Sequence, residues 1–420
     1  MTDTAISPHL DVSAFKAMGS AKSRRVTVNP ENLSSHTGTS STRDCYFALP
    51  SANMGMINGQ NSSLQMDVTI STQTSGLCNG SGSSLIDSME LIIGNQSVEL
   101  LQNYATFASI VEDHQSSSRA TNSHAILNGG ADSTIKKGAE LAAGTKVRVN
   151  IPIYSAVIGT MCSQYCPAVD GIRLRVTFAS KENALLCETA GGGYALSDIV
   201  LQMDYLDINP SVYSEMLAEA GGVFKIHGSG VSNFSTTSNL NVPNASLLVP
   251  ARFSSIKNYF TTFRISANIG SDTKNSCGDR VAPKITGYSY RVDGRNYPSV
   301  PVKAHDGTNF LAGEAFSEVV KAFHATHSPD FDTVYSLANY ADITGTNGTG
   351  AFLIALDWEE SGYGQLRGLV SGMDTINSNT FLDLQMTASG TDTPITVDTF
   401  AVHDLIVELN MLDGSVSVSK

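Results

Sequence analysis

A chain of 420 residues is long enough for two domains of about 200 residues, each with its own core. Only 15% of its side chains are charged and the formal net charge is −13, which excludes a dedicated nucleic-acid binder with a basic face. No run reaches the roughly 18 apolar residues of a membrane span, and nothing near Met1 resembles a signal peptide, so folding in a cytosol-like compartment is expected.

Residues 1–41 are rich in Ser and Thr and weakly patterned. Residues 1–25 read as an N-terminal arm, in which Lys16, Lys22, Arg24 and Arg25 outnumber Asp3 and Asp11. Such an arm reads first as a flexible solvated terminus and second as a contact with an anionic layer, either genome phosphates or a membrane surface. Strands follow, each read from apolar residues alternating with polar ones. Leu64–Ile70 alternates in this way, and Met89–Val98 is a strand region broken by Gly94-Asn95. Tyr104–Asp113 has helical spacing, and residues 115–143 form a long polar loop. Lys146–Ile153 and Ile172–Phe178 alternate again, and Gly191–Gly193 turns into a long strand over Tyr194–Leu206.

The strongest helix comes next. Asn209 can cap it, Pro210 stands where a first helical residue needs no N–H, and Gly221-Gly222 stops it. Beyond it, strands are expected over Tyr259–Ile265, Ile285–Val292, Ala351–Trp358 and Phe381–Met386, with a helix over Gly313–Phe323. Residues 267–284 and 326–350 read as long polar loops.

This second set repeats the first. Tyr194–Asp207 and Phe400–Asp413 match at an offset of 206, with four identities in 14 positions. Phe47–Pro50 matches Leu247–Pro250 at 200, Val68–Ser71 matches Phe263–Ser266 at 195, and Ile93–Asn95 matches Asp293–Arg295 at 200. Phe107–Val111 matches Phe316–Val320 at 209, and Ile172–Thr177 matches Leu382–Thr387 at 210. Six matches in chain order, with slowly drifting offsets, indicate a duplicated unit with altered loop lengths. The expected fold is all-β: two tandem eight-stranded jelly rolls, each a β-sandwich, with short helices in loops and a linking helix. The boundaries are 1–25 for the arm, 26–208 for the first roll, 209–222 for the linking helix and 223–420 for the second roll.

No motif for chemistry stands out. The chain has no G-x-x-x-x-G-K-[ST], no G-x-S-x-G and no H-E-x-x-H. Asp357-Trp358-Glu359-Glu360 places acids beside the only Trp, but neighbours on a strand point to opposite faces and do not converge on one bond. His324-x-x-His327, with Asp330 and Asp332, has unspecific spacing for a metal. The six cysteines, Cys45, Cys78, Cys162, Cys166, Cys187 and Cys277, show no zinc-knuckle pattern and read as reduced, partly buried thiols. No catalytic residue, cofactor or metal site is therefore assigned.

Three stretches carry a resemblance. Lys146–Ser180 contains a strand ending in Ile-Pro-apolar and a second Pro before a strand. Val249-Pro250-Ala251-Arg252-Phe253 precedes the aromatic-rich Lys257–Arg264, and Ser371–Thr375 (SGMDT) precedes a strand. Together with the duplication, they resemble the major capsid proteins of the double jelly-roll lineage: adenovirus hexon and the capsid proteins of tailless icosahedral phages, algal large DNA viruses and virophages. That resemblance implies a homotrimer with a pseudo-hexagonal outline, tiling an icosahedral shell around a genome. It implies a virion location, contacts with neighbouring capsomers, penton and minor capsid proteins, and an inward-facing arm near a membrane or genome. It implies no small-molecule substrate and no catalysis. The alternative is a tandem β-sandwich that binds or cleaves carbohydrate, for which one Trp and 7% aromatic residues are poor equipment.

Overall fold

The computed structural model describes residues 21–51, 55–115, 126–127, 141–162, 164–323, 333–345, 348–359, 372–411 and 414–420. Eight strands build the first sandwich: β1 (Lys22–Val28), β2 (Asp44–Ala48), β3 (Gly55–Ser71), β4 (Ile86–Ile93), β5 (Gln96–Gln102), β6 (Lys146–Pro152), β7 (Ile172–Phe178) and β8 (Gly193–Asp207). Eight more build the second: β9 (Val223–Asn239), β10 (Asn244–Val249), β11 (Ile256–Ile265), β12 (Ile285–Val292), β13 (Arg295–Val302), β14 (Ile354–Asp357), β15 (Thr380–Met386) and β16 (Pro394–Asn410). The first roll has sheets of order β1-β8-β3-β6 and β2-β7-β4-β5. The second has β9-β16-β11-β14 and β10-β15-β12-β13. The two orders are the same once eight is added to each strand number. Each roll is a jelly roll, with its last strand inserted between its first and third.

Three helices matter. α1 (Tyr104–Gln115) and α3 (Ala312–Ala322) each follow the fifth strand of their roll, and α2 (Pro210–Glu219) links the rolls. α2 starts and stops where its end signals lie. The Asn209 side chain accepts from the Ser211 N–H, Pro210 is the first helical residue, and Gly221 and Gly222 take φ of 63° and 82°.

The duplication is real, but the residue-by-residue matching is corrected in three places. The hairpin β12–β13 turns at Asp293-Gly294, between Val292 and Arg295, whereas β4–β5 turns at Gly94-Asn95, between Ile93 and Gln96. Gly94 therefore corresponds to Asp293 and not to Gly294. Ile172 pairs with Ile93 and Thr380 with Val292, so Ile172 corresponds to Thr380 and not to Leu382. Tyr194 pairs with Ile70, while Phe400 pairs with Phe260 and Ile265 with Ile395. The offsets 206 and 195 cannot both hold across that ladder. Apolar alternation fixes which face a residue takes but leaves slips along the strand open. Register shifts at Ser197/Val200 and Gln202/Asp204 in β8 add further drift.

One apolar core fills the second sandwich, with Tyr259, Phe263, Tyr288, Tyr290, Leu384 and Val397 inside it. The other core fills the first sandwich and continues across to Phe260, Phe400 and Val402, on the outer face of the second. Period two makes this legible: Tyr259 and Phe263 point into their own sandwich, and Phe260 points to the outer face, where it meets Phe323 at the end of α3 at 4.6 Å. α1 supplies the cover. Phe107 meets the Phe400 ring at 5.5 Å, and His114 stacks on Phe323 at 5.0 Å.

Several polar groups at this junction are paired. Asp113 on α1 forms an ion pair with Arg280, whose side chain is 0% exposed, and Arg280 Nη1 also donates to Ser109 Oγ at 3.2 Å. Arg264 donates through Nε and Nη2 to Asp398 at 2.9 and 2.6 Å and through Nη1 to the Ser276 carbonyl at 2.8 Å. Asn103 of the first roll donates to Asn233 at 2.8 Å and to Asp398 at 3.3 Å. The backbones also touch. A Cβ on Gly228 would stand 2.1 Å from the Ala156 carbonyl oxygen, so β9 can lie against residues 156–162 only without a side chain there.

Two outcomes follow. Asp113→Ala should leave the Arg280 cation buried and unpaired and cost about 3–5 kcal/mol of stability. Denaturant unfolding should show this as a lower midpoint, and the double replacement Asp113→Leu/Arg280→Met should recover most of the loss. An unchanged midpoint for Asp113→Ala would remove the pair as a fastener.

The second concerns acid. Burial pulls the His403 imidazole down to about 4; the Lys420 charge pulls the same way, and the Asp404 carbonyl and carboxylate pull against it. The ring lies flat on Phe253 at 3.8 Å. The unfolded imidazole takes its proton near 6.5 and the folded one only near 4, so acid favours the unfolded chain. Stability from this group is full above pH 6.5 and falls by about 3 kcal/mol as the pH drops towards 4. His403→Gln should flatten the pH 4–6.5 segment of the stability curve; an equally steep curve in that variant would assign the loss elsewhere.

Candidate assembly surface

The basic residues expected on an arm are divided by the structure. Lys16 lies outside the described residues. Lys22, Arg24 and Arg25 are not arm but strand: β1 pairs with β8 from Lys22↔Asp207 to Val28↔Leu201. The arm boundary at residue 25 is thus corrected to before Lys22. The cause is the ladder itself, since the edge of β8 offers a row of backbone partners that an exposed, charged sequence still satisfies. Arg24 Nε donates to the Asp207 carboxylate at 3.0 Å, and its guanidinium lies 5.4 Å from the centre of the Tyr205 ring. Arg25 Nε donates to Gln202 Oε1 at 2.7 Å. The strand period sends Arg25 to the face opposite Lys22 and Arg24, so the three do not form one basic patch.

Equivalent sheets of the two rolls present different outer faces. The outer face of β9-β16-β11-β14 is covered, with Thr262, Arg264, Asp398 and Val402 all buried. The outer face of β1-β8-β3-β6 is open and polar, and Lys146, Arg148 and Arg25 on it are exposed. Asp67 sits between Lys146 at 2.6 Å and Arg148 at 2.8 Å. Burial raises its carboxyl pKa, and the hydrogen bonds and charges of Lys146 and Arg148 more than offset that, so the net shift is downward. Among the described residues, edge strands β1 and β13 each pair on one side only, and Val300 on β13 is 71% exposed.

The stretches that carried the capsid resemblance are structural. Thr375 Oγ1 donates to the Ala251 carbonyl at 2.9 Å, Gly372 N donates to Ser255 Oγ at 2.9 Å, and Met373 bridges to Ile256. Two separate stretches thus lock together at the start of β11. In the third, the Tyr104 hydroxyl donates to the Pro152 carbonyl at 2.5 Å.

The tempting acidic cluster is also accounted for. Trp358 packs 4.7 Å from Tyr297, Asp357 accepts from the Glu359 N–H at 3.0 Å, and Glu359 lies 3.6 Å from Lys257. Glu360 and the His324–Asp332 stretch lie outside the described residues. Among the described residues, no three His, Cys, Asp or Glu side chains are grouped to hold a metal. A cleft of about 450 Å³ lies between the β4–β5 turn, Tyr213 of α2, Met411 and Val416; among the described residues, Asp170 is the carboxylate that lines it.

No model of a known protein family matches the chain, and no curated protein matches it. Solved structures do match along nearly its whole length. VP54 of PBCV-1, fitted into a reconstruction of the virophage Sputnik, aligns with a TM-score of 0.62 at 10% identity over 96% of this chain and 97% of that one. The Faustovirus major capsid protein aligns with a TM-score of 0.59 at 9% identity over 93% and 90%. The mavirus major capsid protein aligns with a TM-score of 0.53 at 11% identity over 94% and 90%. With its two sandwiches of matching strand order, the chain has the double jelly-roll fold of these viral capsid proteins.

Proposed function

We propose that this chain is a major capsid protein. Three copies form a capsomer of six sandwiches, and capsomers tile an icosahedral shell around a genome in the virion. The observation that carries this reading is the fixed pairing of two rolls of the same topology inside one chain, a shape shared along nearly the whole length with proteins that build such shells. A chain with two similar wedges completes a six-wedge ring with three copies. The open polar sheet of the first roll and the unpaired edges β1 and β13 are the surfaces left for neighbouring copies. The role is mechanical and needs no catalytic residue. Penton and minor capsid proteins are the further partners, and residues before Lys22 face inward, towards a genome or membrane. The carbohydrate-handling alternative is weaker, because the one Trp is packed between Tyr297 and Tyr259 and not set in a groove.

The first test is mass. Sedimentation of the purified chain should give a trimer of about 134 kDa, three times 44.5 kDa. The trimer should persist from roughly 0.1 to 1 M salt, because screening weakens only exposed charge pairs. A stable monomer throughout would remove the capsid reading. The second test deletes residues 1–20, which keeps β1 whole. Trimers should form as before while closed particles, counted by electron microscopy, fall in yield. Closed particles at normal yield would make those residues bystanders in assembly.

A further inference from the structure

Two of the six cysteines meet where the rolls meet. Cys78 lies in the loop between β3 and β4, and Cys277 lies in the corresponding loop of the second roll, between β11 and β12. All six thiols are free and buried. Four are engaged locally: Cys45, Cys162 and Cys166 donate to the carbonyls of Leu33, Gln164 and Pro167, and Cys187 donates to Ser75 Oγ. Cys78 donates to the Leu185 carbonyl at 3.1 Å and Cys277 lies 4.0 Å from Asn275 Oδ1, but these two thiols also face each other across the junction, close enough to shift each other's pKa.

The loops around them are held close. Asn79 N donates to Asn275 Oδ1 at 3.1 Å, and Cys78 Sγ lies 3.9 Å from the Lys274 carbonyl oxygen. A Cβ on Gly278 would stand 2.3 Å from Asn79 Oδ1, so the second loop reaches the first only because position 278 has no side chain.

We propose that Cys78 and Cys277 are an oxidation site, at which hydrogen peroxide converts the two thiols into a disulfide joining the two rolls. The Cys78 sulfur attacks one peroxide oxygen and the O–O bond breaks. Cys78 becomes a sulfenic acid, and the other oxygen leaves as water with the Cys78 proton. The Cys277 sulfur then attacks the Cys78 sulfur, the S–O bond breaks, and the hydroxyl leaves as a second water with the Cys277 proton. Two thiols lose two electrons, and one peroxide is reduced to two waters.

The attack is assigned to Cys78, whose sulfur reaches the other roll's loop, 3.9 Å from the Lys274 carbonyl oxygen, and whose pKa is lowered by the Cys277 contact against the opposing effect of burial. A peroxide is small enough to reach thiols that a bulky disulfide reagent cannot. The link closes a loop from the third strand of one roll to the third strand of the other. Loops this long restrict the unfolded chain more than short ones do. In the proposed capsid the thiols stay reduced in the cytosol and the staple closes outside it; that consequence rests on the proposed function, and the chemistry does not.

The experiment treats the purified full chain with one equivalent of hydrogen peroxide, blocks remaining thiols with iodoacetamide and maps peptides without reduction. The expected result is a Cys78–Cys277 linked peptide, a fall from six free thiols to four, and a higher unfolding midpoint that dithiothreitol reverses. Cys277→Ser should lose the link and leave Cys78 as a sulfenic acid that dimedone captures, while Cys162→Ser should keep it. Six thiols after treatment, a Cys162–Cys166 link, or a Cys78 sulfinic acid without a link would each overturn the proposal. The wild-type map decides the matter even if Cys277→Ser does not fold. A monomeric chain that formed the link would keep this proposal and remove the capsid reading.

Discussion

A sheet that is buried on both faces has to be covered twice. The sheet β9-β16-β11-β14 turns Tyr259 and Phe263 inward and Phe260, Phe400 and Val402 outward. Its partner sheet covers the first set, and nothing within the second jelly roll covers all of the second. The first roll has to come up against it. That single requirement explains why α1 carries Phe107, Asp113 and His114 on buried positions, and why Gly228 has no side chain. It also explains why charged groups such as Arg280 and Arg264 are tolerated inside, since each arrives with its carboxylate partner.

The rolls therefore share a topology and differ in surface chemistry. Inside each sandwich, any apolar residue of suitable volume at an inward position preserves the packing. Outside, one copy became polar and open and the other apolar and covered. This is how a fold survives at about a tenth of identical residues in the solved structures it matches. The alternation that faces each interior is retained, and everything outside it is free to change.

The same physics decided what the sequence could reveal. Strands with one wet face, such as β6 and β7, alternate cleanly and were legible. α2 was legible because Asn209, Pro210 and Gly221-Gly222 are local signals that need no tertiary context. β9 was not singled out: its stretch HGSGVSNFSTTSN is rich in small polar residues, and Gly228 among them serves close backbone approach to the first roll. β1 escaped for the opposite reason, since its first four residues are exposed and its charges look like those of an arm. The residues that fasten the rolls, Asp113, Arg264, Arg280 and Asp398, were not singled out either. One signal was present: Arg264 interrupts the apolar run Tyr259–Ile265, where a cation is costly unless paired. Its partner on β16 is far away in the chain and could not be named from the pattern alone.

The pairing of first strand with last has a consequence for the order of events during synthesis. β1 cannot complete its ladder until Asp207 has emerged, and β9 cannot complete its own until Asn410 has. Both closures are long-range and slow by the usual dependence of folding rate on contact separation. Every strand of the first closure is made before the second begins to emerge, because α2 starts only after β8 ends. The nascent first roll is then a solid surface on which the later apolar sheet condenses. A stall in translation between Gly222 and Asn410 would leave β9 and β11 without their central partner β16, with two edges and two greasy faces bare. That is the moment in the life of this chain when it is most exposed to aggregation.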